Sequence, residues 1–259
     1  MDKQSLVIAN WKMNPTSLKE VEHLSSSLKP EIEKAQGVET VICPPFVYLK
    51  DLLANNSDKF IFGAQDCFWE EKGAFTGEIS PSMLKELGCQ YVIVGHSERR
   101  KYFQETDEVV SRKLKAVLKV RLKPVLCIGE EARDAFDSSG KPLNEMSLAV
   151  GQQLEKDLSG ISSVKIGEIV IAYEPVWAIG TGIPCQPDDA MKAALFIKKI
   201  LTKLYSRSIA EKTRIIYGGS VNSQNASDYV KGARMDGLLV GGASLNASEF
   251  ARIISVVSQ

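Results

Sequence analysis

The chain has 259 residues, 44% of them hydrophobic and 25% charged, a composition that supports a substantial core and excludes disordered and fibrous classes. Lys plus Arg and Asp plus Glu stand at 32 each, so no global field draws the molecule to nucleic acid or an anionic membrane, and any anion site has to be built locally. No apolar run is long enough to span a bilayer, no secretory layout opens the chain, and the dispersed Cys43, Cys67, Cys89, Cys127 and Cys185 suggest free thiols of a cytoplasmic protein, without zinc or disulfide spacing.

Short β-rich runs recur at 6–9, 40–43, 60–64, 91–95, 124–128, 169–173, 214–217 and 237–240. Most are continuously apolar, which predicts strands buried on both faces, and their starts are roughly 20 to 45 residues apart, room for a helix each time. Helical spacing fills the gaps: 17–35 with Leu18, Val21, Leu24, Leu28 and Ile32; 107–119 with Val110, Leu114 and Val117; then 143–158, 187–205 opened by Pro187, and 247–256. Pro44 and Pro45 delay a short helix to 46–54, and another falls at 81–87. Eight strand-then-helix units without a linker predict a single-domain (β/α)8 TIM barrel over 1–259. An open doubly wound sheet is the alternative, but no strand-to-helix turn carries Gly-x-Gly-x-x-Gly.

A barrel requires its functional groups just beyond the C-terminal ends of several strands. After the first come Asn10 and Lys12, which a period-two pleat sends to the same side; Lys12 would bind an anion, form a Schiff base, or neutralise a carboxylate. After the fourth come His96, Ser97, Glu98, Arg99 and Arg100. His96 is one of two histidines, and the other, His23, falls among polar helix positions. Ser97 to Arg100 are suited to capping the next segment and tying local charges together, and Glu98 is either catalytic or a clamp on Lys12.

The sixth strand ends in Glu174, followed by Pro175, Val176 and Trp177 and a small-residue stretch holding Gly180 and Gly182. Proline stiffens the first hinge and glycines loosen the tip, as a lid over 175–185 would need. Glu174 is then a general base or merely a strand-end cap. Gly218 and Gly219 after the seventh strand, and Gly241 and Gly242 after the eighth, form two glycine pairs suited to a phosphate cradle or, singly, to tight turns. A base, an electrophile, a cation and a phosphate cradle, with no nucleophile and no metal cluster, suit proton abstraction beside a carbonyl without any cofactor.

These motifs, with the stretch from Gly73 to Glu78, resemble the triosephosphate isomerases along the whole chain. The resemblance implies isomerisation of glyceraldehyde 3-phosphate and dihydroxyacetone phosphate, with Glu174 as base, His96 as neutral electrophile, Lys12 as electrostatic stabiliser, Asn10 as orienting partner and Glu98 as the acid that holds them. It also implies phosphate contacts at Gly180, Ser220, Gly241 and Gly242, and a lid gripped by Tyr217 and Ser220. Further, it implies a homodimer through a 65–78 loop, in which Gln65, Thr76 and Glu78 serve the interface and Thr76 reaches the Asn10 and Lys12 region of the twin. Two departures stand out: Ile183, Pro184 and Cys185 at the second lid hinge, where the family commonly has Lys and small residues, and Asp66 where Asn is commoner. Cys67 and Cys185 fall in expected loops, and nothing in the sequence argues that either is reactive. The competing readings are a Lys12 Schiff-base aldolase and a non-catalytic binding protein on the same barrel.

Overall fold

The computed structural model describes residues 4–56, 60–132, 135–136, 142–143, 145–179 and 184–258. Eight strands close a parallel barrel in sequence order: β1 (Ser5–Asn10), β2 (Val38–Cys43), β3 (Ile61–Ala64), β4 (Tyr91–Val94), β5 (Lys123–Ile128), β6 (Val170–Tyr173), β7 (Arg214–Tyr217) and β8 (Gly237–Val240). The continuous apolar runs have a simple cause. Alternate residues of each strand feed two different cores: Leu6, Ile8, Val41, Tyr91, Ile93 and Ile216 fill the barrel, while Val7, Ala9, Ile42 and Val92 point outward to the helices. All eight predicted strands are present, β7 and β8 with the predicted ends and the others with ends moved by at most two residues.

The ring closes where β1 meets β8, pairing Leu6 with Gly237 and Ile8 with Leu239. Gly237 has φ +153°, and a Cβ there would lie 1.8 Å from the Leu6 carbonyl oxygen, so only glycine lets the seam close. At the N-terminal strand ends Glu39 accepts from Tyr91 at 2.5 Å and from Arg214 at 2.6 Å, and Lys123 donates to Tyr91 at 3.2 Å, tying β2, β4, β5 and β7 together beneath the core.

The predicted helices form as α1 (Leu18–Lys34), α2 (Phe46–Asn56), α3 (Pro81–Leu87), then, after a short α4 (Ser97–Phe103), α5 (Asp107–Lys119) and α6 (Glu145–Asp157). A one-turn α7 (Ser163–Ile166) precedes α8 (Pro187–Leu204), α9 (Arg207–Lys212) and α10 (Ala247–Ser258). Ser17, Ser80, Thr106 and Ser206 each accept a backbone N–H at the start of their helix. Helices α4, α7 and α9 are not foreseen from sequence, nor is a small antiparallel pair at 135–136 and 142–143. No α4 residue is buried, so it has no apolar stripe to announce it.

Candidate active site

The C-terminal mouth of the barrel holds a cavity of about 410 Å³ lined by Asn10, Lys12, His96, Ser220, Gly241 and Gly242, among others. Groups from strands β1, β4, β7 and β8 thus meet in one place. Asn10 and Lys12 do converge, but not through the pleat. Lys12 leaves the strand with φ +54°, a left-handed conformation, and its N–H donates to Asn10 Oδ1 at 3.0 Å, a local Asn turn that redirects the lysine. Gln65 Nε2 then fixes that turn by donating to the carbonyls of Lys12 at 2.7 Å and Cys43 at 2.9 Å. Gln65, expected at a subunit interface, here braces its own barrel, while Thr76 and Glu78 are exposed.

Lys12 Nζ lies 2.6 Å from Glu98 Oε1, so the acid holds the cation in place. His96, rather than Ser97, caps α4: its Nδ1 accepts the Glu98 N–H at 3.2 Å. A ring nitrogen that accepts carries no proton, so the imidazole proton sits on Nε2. That atom lies 3.3 Å from Glu174 Oε1. The other carboxylate oxygen of Glu174 accepts from the Ser97 N–H at 3.0 Å, and the residue is 1% exposed.

Three glycines make room for this arrangement, each for a different reason. A Cβ at Gly129 would stand 1.7 Å from the Glu174 carbonyl oxygen, one at Gly218 2.9 Å from Glu174 Cγ, and one at Gly219 2.2 Å from the Tyr217 hydroxyl. Gly218 and Gly219 line the cavity, yet their lack of a side chain serves Glu174 and Tyr217. Beneath Glu174 lies Cys127, whose thiol is pushed far up by burial and then by the carboxylate charge, and so stays protonated.

The segment after Glu174, expected as a first hinge, is pinned at three points. Pro175 leads into a 3-10 turn, Val176–Ala178; the Val176 N–H donates to the Glu130 carbonyl at 3.0 Å, Trp177 Nε1 to Glu130 Oε1 at 2.8 Å, and Ser220 Oγ to the Ala178 carbonyl at 2.7 Å. Glu130, buried and also bound by the Tyr173 hydroxyl at 2.8 Å, carries no signal in the sequence beyond its place after β5. Tyr217 stacks on Tyr229 with ring centroids 3.7 Å apart, and the Tyr229 hydroxyl donates to the Cys185 carbonyl at 2.6 Å. Gly180, Gly182 and Ile183 lie outside the described residues. Cys67 and Cys185 are both buried, and burial pushes the Cys67 thiol up, so neither offers the exposed thiolate expected of a reactive loop cysteine.

Among the described residues no three His, Cys, Asp or Glu side chains gather as metal ligands would. The cavity offers one ammonium, one imidazole, a serine and the glycine pairs after β7 and β8, while the Glu174 carboxylate stands behind the imidazole rather than in the cavity lining; together they are a set able to bind an anionic group and move a proton.

A model of the triosephosphate isomerase family matches residues 5–257. Among curated proteins, the triosephosphate isomerase of Dehalococcoides mccartyi (strain BAV1) is 45% identical over 254 residues, covering 97% of this chain and 95% of the relative. That of Caldanaerobacter subterraneus subsp. tengcongensis is 44% identical, covering 98% and 99%, and that of Dictyoglomus turgidum 42% identical, covering 97% and 99%.

Proposed function

The chain belongs to the triosephosphate isomerase family, and from that membership we propose that it interconverts dihydroxyacetone phosphate and D-glyceraldehyde 3-phosphate, a glycolytic step, by proton transfer at the mouth of its barrel. The carrying observation is that His96, whose Nε2 lies 3.3 Å from Glu174 Oε1, and Lys12, paired with Glu98, both line the cavity that Gly241 and Gly242 also line. Substrate phosphate rests on the backbone of Ser220, Gly241 and Gly242, with Gly180 completing the cradle from the lid. The carbonyl then faces His96 and Lys12. Glu174 leaves the Ser97 N–H and takes a proton from the carbon next to that carbonyl; His96 and Lys12 stabilise the negative oxygen of the enediolate. Return of the proton to the neighbouring carbon completes the isomerisation, with no oxidation and no co-substrate. Closure of the 175–185 lid excludes water, which suppresses loss of phosphate from the enediolate.

Expected turnover is read by following glyceraldehyde 3-phosphate formation with a coupled dehydrogenase. Glu174→Ala is expected to lower kcat by about a thousandfold or more. A purified protein inert towards both triose phosphates, or a Glu174→Ala variant at full rate, would sink the proposal.

The functional unit we propose is a homodimer of cytoplasmic single-domain subunits. Supporting it, Met13 is 88% exposed, and Val47, Phe75, Tyr102 and Phe103 also stand out in water, all of them in segments that follow strands β1 to β4. Among the described residues no helix is long and apolar enough to cross a membrane. Sedimentation at micromolar concentration is expected to give twice the 28.4 kDa chain mass; a monomer that turns over at full rate would rule the dimer out.

A further inference from the structure

Arg100, next to the active-site turn, is exposed over only 17% of its side chain, and its guanidinium makes four contacts. Nε donates to the Gly95 carbonyl at 2.8 Å, Nη1 to Asp107 Oδ1 at 2.6 Å, and Nη2 to Asp157 Oδ2 at 2.7 Å and the Cys127 carbonyl at 3.4 Å. Two of these acceptors are backbone groups that matter for chemistry. Gly95 directly precedes His96 in a left-handed conformation of φ +71°, where a Cβ would press on Arg100 Nη2 and Val110 Cγ2, each 3.0 Å away. Cys127 lies one residue before Ile128, whose carbonyl accepts the Glu174 N–H at 2.8 Å. Arg100 therefore holds the strand end that carries the electrophile and the strand end that holds the base.

Arg100 is held in turn by two carboxylates. Asp107 begins α5 and is shared with Lys156, 3.4 Å away. Asp157, the last residue of α6, is wholly buried, and Arg100 is the partner of its Oδ2, while Oδ1 finds none among the described residues. A buried acid on the outer helix layer, remote from the cavity, is costly unless its partner repays it.

We propose that Asp157 is a positioning residue for the isomerase reaction: by fixing the Arg100 guanidinium from behind, it sets the Gly95 and Cys127 carbonyls, and through them the relative placement of His96 and Glu174. The inference rests on the catalytic roles proposed above for those two residues. Burial first, and the Asp107 charge after the offset from Arg100, raise its carboxyl to about 7.

The test compares Asp157→Ala and Asp157→Asn in the full chain, well below their melting temperatures. Asn keeps an acceptor for Arg100 and Ala removes it. Asp157→Ala is expected to lower kcat about tenfold, with KM and inhibition by inorganic phosphate within twofold, because the cradle on β7 and β8 is untouched. Asp157→Asn is expected to retain most of kcat. A lowered Tm with unchanged kcat in Asp157→Ala overturns the proposal, as does an equal loss in KM and phosphate affinity. Should Asp157→Ala not fold, Asp157→Val, which keeps the bulk without an acceptor, takes its place, and the imidazole 15N resonances of His96, one of two histidines, decide it: a signal displaced in Asp157→Val but not in Asp157→Asn supports the proposal, and one identical in both overturns it. Wild-type turnover together with Glu174→Ala reports separately on the underlying reaction, so failure of one reading is not mistaken for failure of the other.

Discussion

At the scale of single residues, the site is shaped as much by missing side chains as by present ones. Gly129 and Gly218 both yield space to Glu174, but against different atoms. The first faces its rigid backbone and the second its movable Cγ. Gly129→Ala is therefore expected to cost more than about 2 kcal/mol of stability, whereas Gly218→Ala leaves Tm nearly in place and mainly lowers kcat. Thermal melts with steady-state kinetics on the pair separate the two; equal Tm losses would contradict this account. Asn10, Lys12, His96, Glu98 and Glu174 are legible in the sequence because each is a reactive side chain at the end of an apolar run. Gln65, Glu130 and Gly129 are not, because their value lies in backbone carbonyls and in closeness to residues far along the chain. The Asn10 and Lys12 convergence shows the difference well. Pleat alternation predicts the right neighbours through the wrong cause, since a left-handed Lys12 and an Asn turn bring them together.

At the scale of elements, legibility follows burial. Strands β1 to β8 announce themselves because two cores consume both their faces, and α1, α5 and α8 because each buries one stripe. Helix α4 buries nothing and so leaves no pattern, although its first turn carries Glu98 and the Ser97 N–H. The proposed lid hinge depends on one bond for its freedom. Movement of Trp177 away from Glu130 has to break the 2.8 Å hydrogen bond between them. Trp177→Phe removes that cost, about 1 kcal/mol, and so is expected to tighten a phosphate-bearing enediolate analogue by up to about fivefold, measured by calorimetric titration. Weaker binding would mean that Trp177 serves the closed arrangement instead. At the other hinge, Pro184 and Cys185 mark this chain's departure, and Tyr229 meets it by bonding the Cys185 carbonyl.

At the scale of the whole molecule, charge is buried in separate clusters that respond to pH with opposite signs. Asp66, the departure in the 65–78 loop, sits with Glu105 between Lys113 and Arg99: its oxygens lie 2.7 and 2.9 Å from Lys113 Nζ and 2.9 Å from Arg99 Nε. Burial first, and Glu105 with it, raise Asp66 from its usual 3.8 to about 6 against the pull of the two cations. A raised acid keeps its proton longer in the folded than in the unfolded chain, so the native state binds more protons between about pH 4 and 6. Stability therefore falls as pH rises through that window, and Asp157 extends the fall to about 7. Urea melts from pH 4 to 8 are expected to show this slope, and Asp66→Asn to flatten it; an unchanged slope would mean that Asp66 ionises freely in its cluster. Glu39 works the other way. Burial raises it, but Arg214, Tyr91 and Lys123 together outweigh burial and leave it below its usual 4.5, so its contribution is present above that value and lost as acid protonates it. The β1–β8 seam has a consequence in time as well as in space. Its paired residues, Leu6 and Gly237, are more than two hundred positions apart, so during biosynthesis one edge of β1 waits for its neighbour while a ribosome adds the rest, roughly 10 to 50 s at ordinary elongation rates. Over that interval the nascent chain carries an open strand edge, which makes it a client for whatever shields unpaired sheet in the cell until the last strand arrives.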